Sequence, residues 1–259
     1  MNETFFQEKH CSKVRTSVGE LQLPLEYHDA EAMASLFPVP VAGLAPLLPA
    51  VDWQPLLIRP QIALLGIAFL EFKKTSIGAY NLAAIFIPCL WKPSRNLPLL
   101  PFYFPDWFSN LSAFIYQMPT TMEFAARACS EIWGSPLFLA DIDFEDYDFY
   151  RVGRLACKGQ SIVRISLQKP ALQRFQRRKY PLLNRKNEWG LKARASTQGL
   201  MGAVKTPTSI EIQFGNHPLG KQLEALRPGP AFRSYYYPKL QGMLDWPSRA
   251  YPIVPVEGA

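Results

Sequence analysis

Residues 131–143 read EIWGSPLFLADID. A Trp-Gly-Ser-Pro turn, Trp133 to Pro136, leads into a stretch where Ala140 and Ile142 alternate with Asp141 and Asp143. That alternation marks a strand with one buried and one wet face. A turn of this kind presents the side chains at its exit. Here those are Leu137 and Phe138, and neither carries a nucleophile, an acid or a metal-binding atom.

The chain has 259 residues, enough for one large domain or two small ones and for a substantial core. With 48% hydrophobic and 19% charged residues it is not a disordered sequence. Its 24 prolines, 15 glycines and 13% aromatics favour short strands and turns over long helices. No apolar run reaches the roughly 18 residues of a membrane span, and MNETFFQEKHCSK at the start has no apolar core of signal-peptide length. Cys11, Cys89, Cys129 and Cys157 form no CxxC, and only His10, His28 and His217 are present, which argues against zinc. The expectation is a cytoplasmic protein with free thiols and no membrane partner.

Much of the formal charge of +7 comes from residues 174–194. Such a patch suits an anionic surface, or it is a solvated loop or hairpin. Pro181, Leu182 and Leu183 interrupt it and no nucleic-acid-binding motif accompanies it, so nucleic acid is not the expected partner.

Outward from the turn, residues 1–20 read as a loose arm and 21–259 as a single domain. EYHDAEAMASLFPVP (26–40) reads as a strand entering a turn, and VAGLAPLLPA (41–50) has helical leucine spacing. Residues 56–72 and 77–91 are apolar strands. Residues 92–110 are rich in proline and aromatics and cannot be a regular central strand, so they read as a lid or an oligomer contact. SAFIYQM (112–118) resumes as a strand. TTMEFAARACSEIW (120–133) has helical spacing, with Thr120 or Thr121 as its cap over Glu123. LADIDFEDYDF and GRLACKGQSIVRISLQ read as two strands, TSIEIQFG (208–215) as another, and HPLGKQLEALR as a short helix. The carboxylates Asp141, Asp143, Glu145, Asp146 and Asp148 lack the glycine of a calcium loop and fall on a solvated strand face. The fold class is mainly β (α+β), an antiparallel barrel with a few short helices.

Three pieces in the same order resemble the acetoacetate decarboxylase superfamily. GAYNLAAIFIPC (78–89) is similar to its Gly-x-Tyr-Asn-Glu strand. EIWGSPLFLADIDFE (131–145) is similar to its Glu-Ile-Trp-Gly-Phe-Pro-Lys-Lys-Leu-Ala stretch. FGNHPLGKQLEAL with YYYPKLQGML (214–244) is similar to its closing helix and strand. The resemblance covers most of residues 25–245. It implies a Schiff base on the first lysine, whose pKa the second lysine lowers in an apolar pocket; the family enzyme is the standard example of that activation. At the matching positions stand Leu137, Phe138 and, for the strand glutamate, Leu82. The family's first-strand arginine has no counterpart around His28–Glu31. Leucine offers no amine, so the inherited reaction cannot run at this turn. Losing the charges together also avoids a lone buried charge, which costs about 3–5 kcal/mol.

The pocket-lining residues implied are Tyr80, Asn81, Leu82, Tyr116, Trp133, Leu137 and Phe138. Candidates for other chemistry are Glu131 as an acid or base, Lys158 as a substitute amine, Arg164 as a carboxylate ligand and His28 near the arginine strand. Each has a plainer reading. Glu131 can hold the turn's amides, Lys158 can be a surface turn residue, Arg164 can face outward and His28 can be structural. His217, before Pro218, reads as a helix start. Whether the protein is an enzyme is left open. The leading expectation is a cofactor-free cyclase, isomerase or lyase acting on a hydrophobic polyketide- or terpenoid-like small molecule held in the barrel. The alternatives are a non-catalytic ligand-binding or scaffold protein, and a β-keto acid decarboxylase that uses Lys158. No cofactor and no metal are called for. The family implies a homo-oligomer, with 92–110 and YYYP (235–238) as apolar surface for it.

Overall fold

The computed structural model describes residues 5–6, 11–50, 52–93, 96–204 and 209–253. The strands begin with β1 (Ser12–Thr16), β2 (Gly19–Leu23), β3 (Leu25–Pro40), β4 (Trp53–Pro55), β5 (Leu57–Arg59), β6 (Ile62–Thr75), β7 (Tyr80–Trp91) and β8 (Leu111–Gln117). They continue with β9 (Asp141–Asp146), β10 (Tyr150–Cys157), β11 (Gln160–Gln168), β12 (Gln173–Lys186), β13 (Trp189–Val204), β14 (Ile210–Phe214), β15 (Arg233–Leu244) and β16 (Arg249–Pro252). The helices are α1 (Val41–Leu44), α2 (Leu100–Tyr103), α3 (Glu123–Trp133) and α4 (Pro218–Ala225).

Seven strands close a barrel in the order β7–β8–β12–β13–β15–β3–β6 and back to β7. Its pairings are antiparallel except at β8–β12, which run parallel over two registered pairs, Leu182 with Ala113 and Leu183 with Phe114. β3 pairs with β15, nearly two hundred residues later, and Ser35 and Ser234 hydrogen-bond across the joint. A second sheet, β14–β11–β10–β9, packs on the outside of the barrel. Its Ile142, Leu155, Ile165 and Leu167 meet Met33, Phe37, Ile67 and Phe69 of the barrel wall.

Several details differ from the sequence expectations. Within the arm expected over 1–20, β1 pairs with β2 as a hairpin against α3, while residues 1–4 and 7–10 lie outside the described residues. GRLACKGQSIVRISLQ spans two strands, β10 and β11, that turn at Lys158 and Gly159, both at positive φ. The basic segment forms the β12–β13 hairpin. Helix α3 starts later than expected, with Met122 as its N-cap and no side-chain cap. Thr120 instead accepts from the Met122 amide. The 92–110 excursion carries α2 and seats Leu99, Phe102 and Phe108 on the apolar end of the barrel, beside Leu36, Leu64 and Leu90.

Candidate functional site

The turn at 133–136 is built from the end of α3. Gly134 caps the helix in the left-handed region at φ 68°, with its amide on the Ser130 carbonyl. A Cβ there would lie 2.5 Å from Cβ of Lys186, so glycine is required by space as well as conformation. Beyond it the chain runs extended beside residues 118–120: Met118 donates to Pro136 (3.0 Å), Thr120 to Phe138 (3.0 Å) and Ala140 to Thr120 (3.0 Å). Neighbouring side chains of an extended chain point to opposite sides. Leu137 turns to the barrel interior and α3, while Phe138 turns to the core between the two sheets.

Register arranges the inner face of the barrel in rows. One row holds Ala30, Phe72 and Tyr80, with Tyr27 stacked on Phe72 at 4.4 Å. The next holds Ala32, Leu70, Leu82 and Tyr237. Above it Ala34, Ala68, Ala84 and Tyr235 form a belt of small residues facing a tyrosine. The row after that holds Leu36, Gly66, Phe86, Ile115 and Arg233. Phe86 lies flat on Gly66, where a Cβ would stand 2.2 Å from its ring. Ala34 and Ala68 remain only half-buried although they sit mid-strand on the inner face. No lysine occupies these rows among the described residues.

The structure brings together part of the expected pocket. Tyr80, Leu82 and Leu137 share one inner-face cluster. The four other expected lining residues lie elsewhere. Asn81, one step from Tyr80, faces the second sheet and donates to the Ile142 carbonyl at 2.8 Å. Phe138 is in the inter-sheet core. Tyr116 faces outward from β8 and accepts from Gln222 of α4 at 2.7 Å. Trp133 is fully buried behind the turn, with its indole on the Asp245 carbonyl at 2.8 Å.

The four alternative chemical candidates are dispersed. Glu131 is bound by the amide and hydroxyl of Ser17, which with Lys186 and Arg127 hold its carboxyl below the ordinary value. Lys158 sits in the β10–β11 turn. Arg164 is on β11 of the second sheet, not on a barrel strand, 3.9 Å from Glu211. His28 packs its ring at a tilt against Phe6 at 4.8 Å and lies 3.4 Å from Glu26. His217 caps α4 by accepting from the Leu219 amide at 3.2 Å.

Two groups of residues escape a reading of the sequence. Arg151 of β10 is completely buried between the sheets and pairs with Glu31, Glu71 and Asp146. Burial pushes the Glu31 carboxyl up, but hydrogen bonds from Arg151, Lys73 and Tyr236 outweigh it and leave it below the ordinary value. The second group is RSYYY, 233–237. Its alternation sends Arg233, Tyr235 and Tyr237 inward and Tyr236 outward to Glu31. YYYP is therefore part of the barrel wall and not the assembly surface expected of it. That alternation is readable in the sequence; which face it serves is not. Burial pushes the phenols of Tyr80, Tyr235 and Tyr237 up, so they stay protonated donors near neutrality.

Outside the lumen, an open cleft of about 480 Å³ lies beside Pro46, Trp53, Pro55 and Asn96. No titratable group lines it among the described residues. No helix among the described residues is long and apolar enough to cross a membrane.

The whole arrangement is the acetoacetate decarboxylase-like fold. The chain superposes on an acetoacetate decarboxylase with a TM-score of 0.63 over 98% of each chain, at 14% identity. With the acetoacetate decarboxylase of Legionella pneumophila the TM-score is 0.62 at 14% identity, over 89% of this chain and 87% of that one. The enduracididine biosynthesis enzyme MppR, complexed with pyruvate, matches at 0.61 and 12% identity over 89% of this chain and 90% of its own. No family model matches the sequence, and no curated protein matches it significantly.

Proposed function

We propose that the barrel lumen is a non-covalent cavity for a mostly apolar small molecule and that the protein performs no Schiff-base chemistry. The observation that carries this is the inner face itself. Leucines stand at 82 and 137, where the resemblance places the glutamate and the imine lysine, beneath a belt of three alanines of which two are only half-buried. Chemistry in such a lumen comes from holding a flexible substrate in a reactive shape. Tyrosine hydroxyl pairs, Tyr80 with Tyr27 and Tyr237 with Tyr180, add hydrogen bonds to a carbonyl or a developing oxyanion. That suits a cofactor-free cyclase, isomerase or lyase acting on a polyketide- or terpenoid-like substrate. Lys158, in its surface turn, does not reach this lumen as a substitute amine. The exposed rings of Tyr103, Phe104 and Trp107 on the excursion are the surface we assign to self-assembly.

The test has two arms. Borohydride reduction with acetoacetate, read by intact mass, should leave the protein unmodified. Nile red should bind and brighten, and Ala68→Trp, which fills the alanine belt, should abolish that binding in a protein that still melts cooperatively. A lysine adduct, or Nile red binding that Ala68→Trp leaves untouched, would overturn the reading.

A further inference from the structure

The lumen has a cationic corner. Arg233 stands on the inner face of β15, cross-strand from Leu36. Its guanidinium stacks on the rings of Phe102 at 5.4 Å and Tyr103 at 5.8 Å, both from the excursion. Rings placed over a guanidinium cover its face and leave its edge, where the N–H donors lie. One donor reaches the Tyr235 hydroxyl. The Nε–H is buried and has no acceptor. On the neighbouring wall Arg178 of β12 lies over Phe175 at 5.6 Å, and its charge also acts on Tyr235.

Neither arginine forms an ion pair among the described residues. The nearby acids of β3 and β6, Glu31 and Glu71, point to the outer face and are taken by Arg151. A plain structural reading makes Arg233 a strut that holds the excursion over the barrel end. A strut needs only the two ring faces. It does not supply a carboxylate for the guanidinium charge, whereas Arg151 on the other side of the wall has three.

We propose that this corner is the head-group site for an amphipathic carboxylate. A planar carboxylate fits the guanidinium edge and supplies the missing acceptor. The apolar tail then runs over Ala34, Ala68 and Ala84 toward Leu82 and Leu137. From the Arg233 row to the Leu82 row is four residues of strand, about 13 Å. Arg178 adds attraction at the entrance. The assignment rests on the proposed lumen cavity.

The experiment is calorimetric titration of the full chain with decanoate and with decanol, which share a tail and differ in charge. Decanoate should bind more tightly than decanol. Arg233→Gln should weaken decanoate by about tenfold or more and leave decanol unchanged. Arg178→Gln should act in the same direction by less, and it serves if Arg233→Gln does not fold. Equal binding of the two ligands, or an equal loss of both in the variants, overturns the head-group site and leaves the apolar cavity standing. Failure of decanoate, decanol and Nile red alike to bind removes the cavity and this inference together.

Discussion

The barrel wall has two faces that treat arginine in opposite ways. On the outer face, between the sheets, Arg151 is buried and shared by Glu31, Glu71 and Asp146. On the inner face Arg233 lies against the rings of Phe102 and Tyr103 and has no carboxylate among the described residues. A buried charge whose partners are all supplied by its own chain is part of the architecture. A half-buried charge that its own chain gives no carboxylate is available to something else. The strand β3 serves both, because its residues alternate between the faces: Glu31 meets Arg151 of β10, and Leu36 stands cross-strand from Arg233 of β15.

The contrast can be broken by substitution. The largest effect is expected from Arg151→Met, which takes from Glu31 its buried cation and leaves only the half-exposed Lys73. Destabilisation of about 3–5 kcal/mol should appear in urea unfolding, and pairing the change with Glu31→Leu should recover much of it. The same network sets an acid limit. The Glu31 carboxyl is held below its ordinary 4.5 in the folded protein, so its contribution is present above that value. It is lost as pH falls further and the folded carboxyl takes up a proton. The double variant should show a flatter loss of melting temperature below pH 4.5.

Next come two lysine insertions at adjacent positions. Phe138→Lys places a charge between the sheets and should cost about 2–3 kcal/mol. Leu137→Lys turns its amine into the lumen, where apolar surroundings lower its pKa. It should give a borohydride-trapped adduct with acetoacetate while Phe138→Lys gives none. Adducts on both, or on neither, would break the assignment of the two faces.

Gly66→Ala must push Phe86 off the strand, since the new Cβ would meet its ring at 2.2 Å. The expected loss is about 1–2 kcal/mol, together with weaker Nile red binding as the ring enters the lumen. The smallest effect belongs to Tyr116→Phe on the outer face. It loses one hydrogen bond to Gln222, about 0.5–1 kcal/mol, and should leave ligand binding unchanged.

Legibility in the sequence divides along the same line. The turn at 133–136 and the strand over 77–91 are legible because their signals are local: a left-handed glycine after a helix, and a run of β-formers. The face each residue serves is not. The family resemblance groups Phe138 with Leu137, although adjacent residues in an extended segment cannot line the same surface. Tyr116 sits in a strand that its own residues announce, but only the pairing of β8 with β7 tells which side is inside. Arg164 alternates as expected, yet it does so in a second sheet that no local pattern announces. The stacking of Phe102 on Arg233 joins residues far apart in sequence, and no spacing encodes it.

The joint between β3 and β15 has a consequence for how the protein is made. During synthesis β3 emerges early and can take β6 as one neighbour, but its other edge waits for residues 233–244. Until they leave the ribosome the barrel stands open, with the donors and acceptors of a long strand unpaired. Closure that depends on so distant a partner is slow. The interval before it is when the nascent chain is most exposed to pairing with a neighbour and most in need of a chaperone.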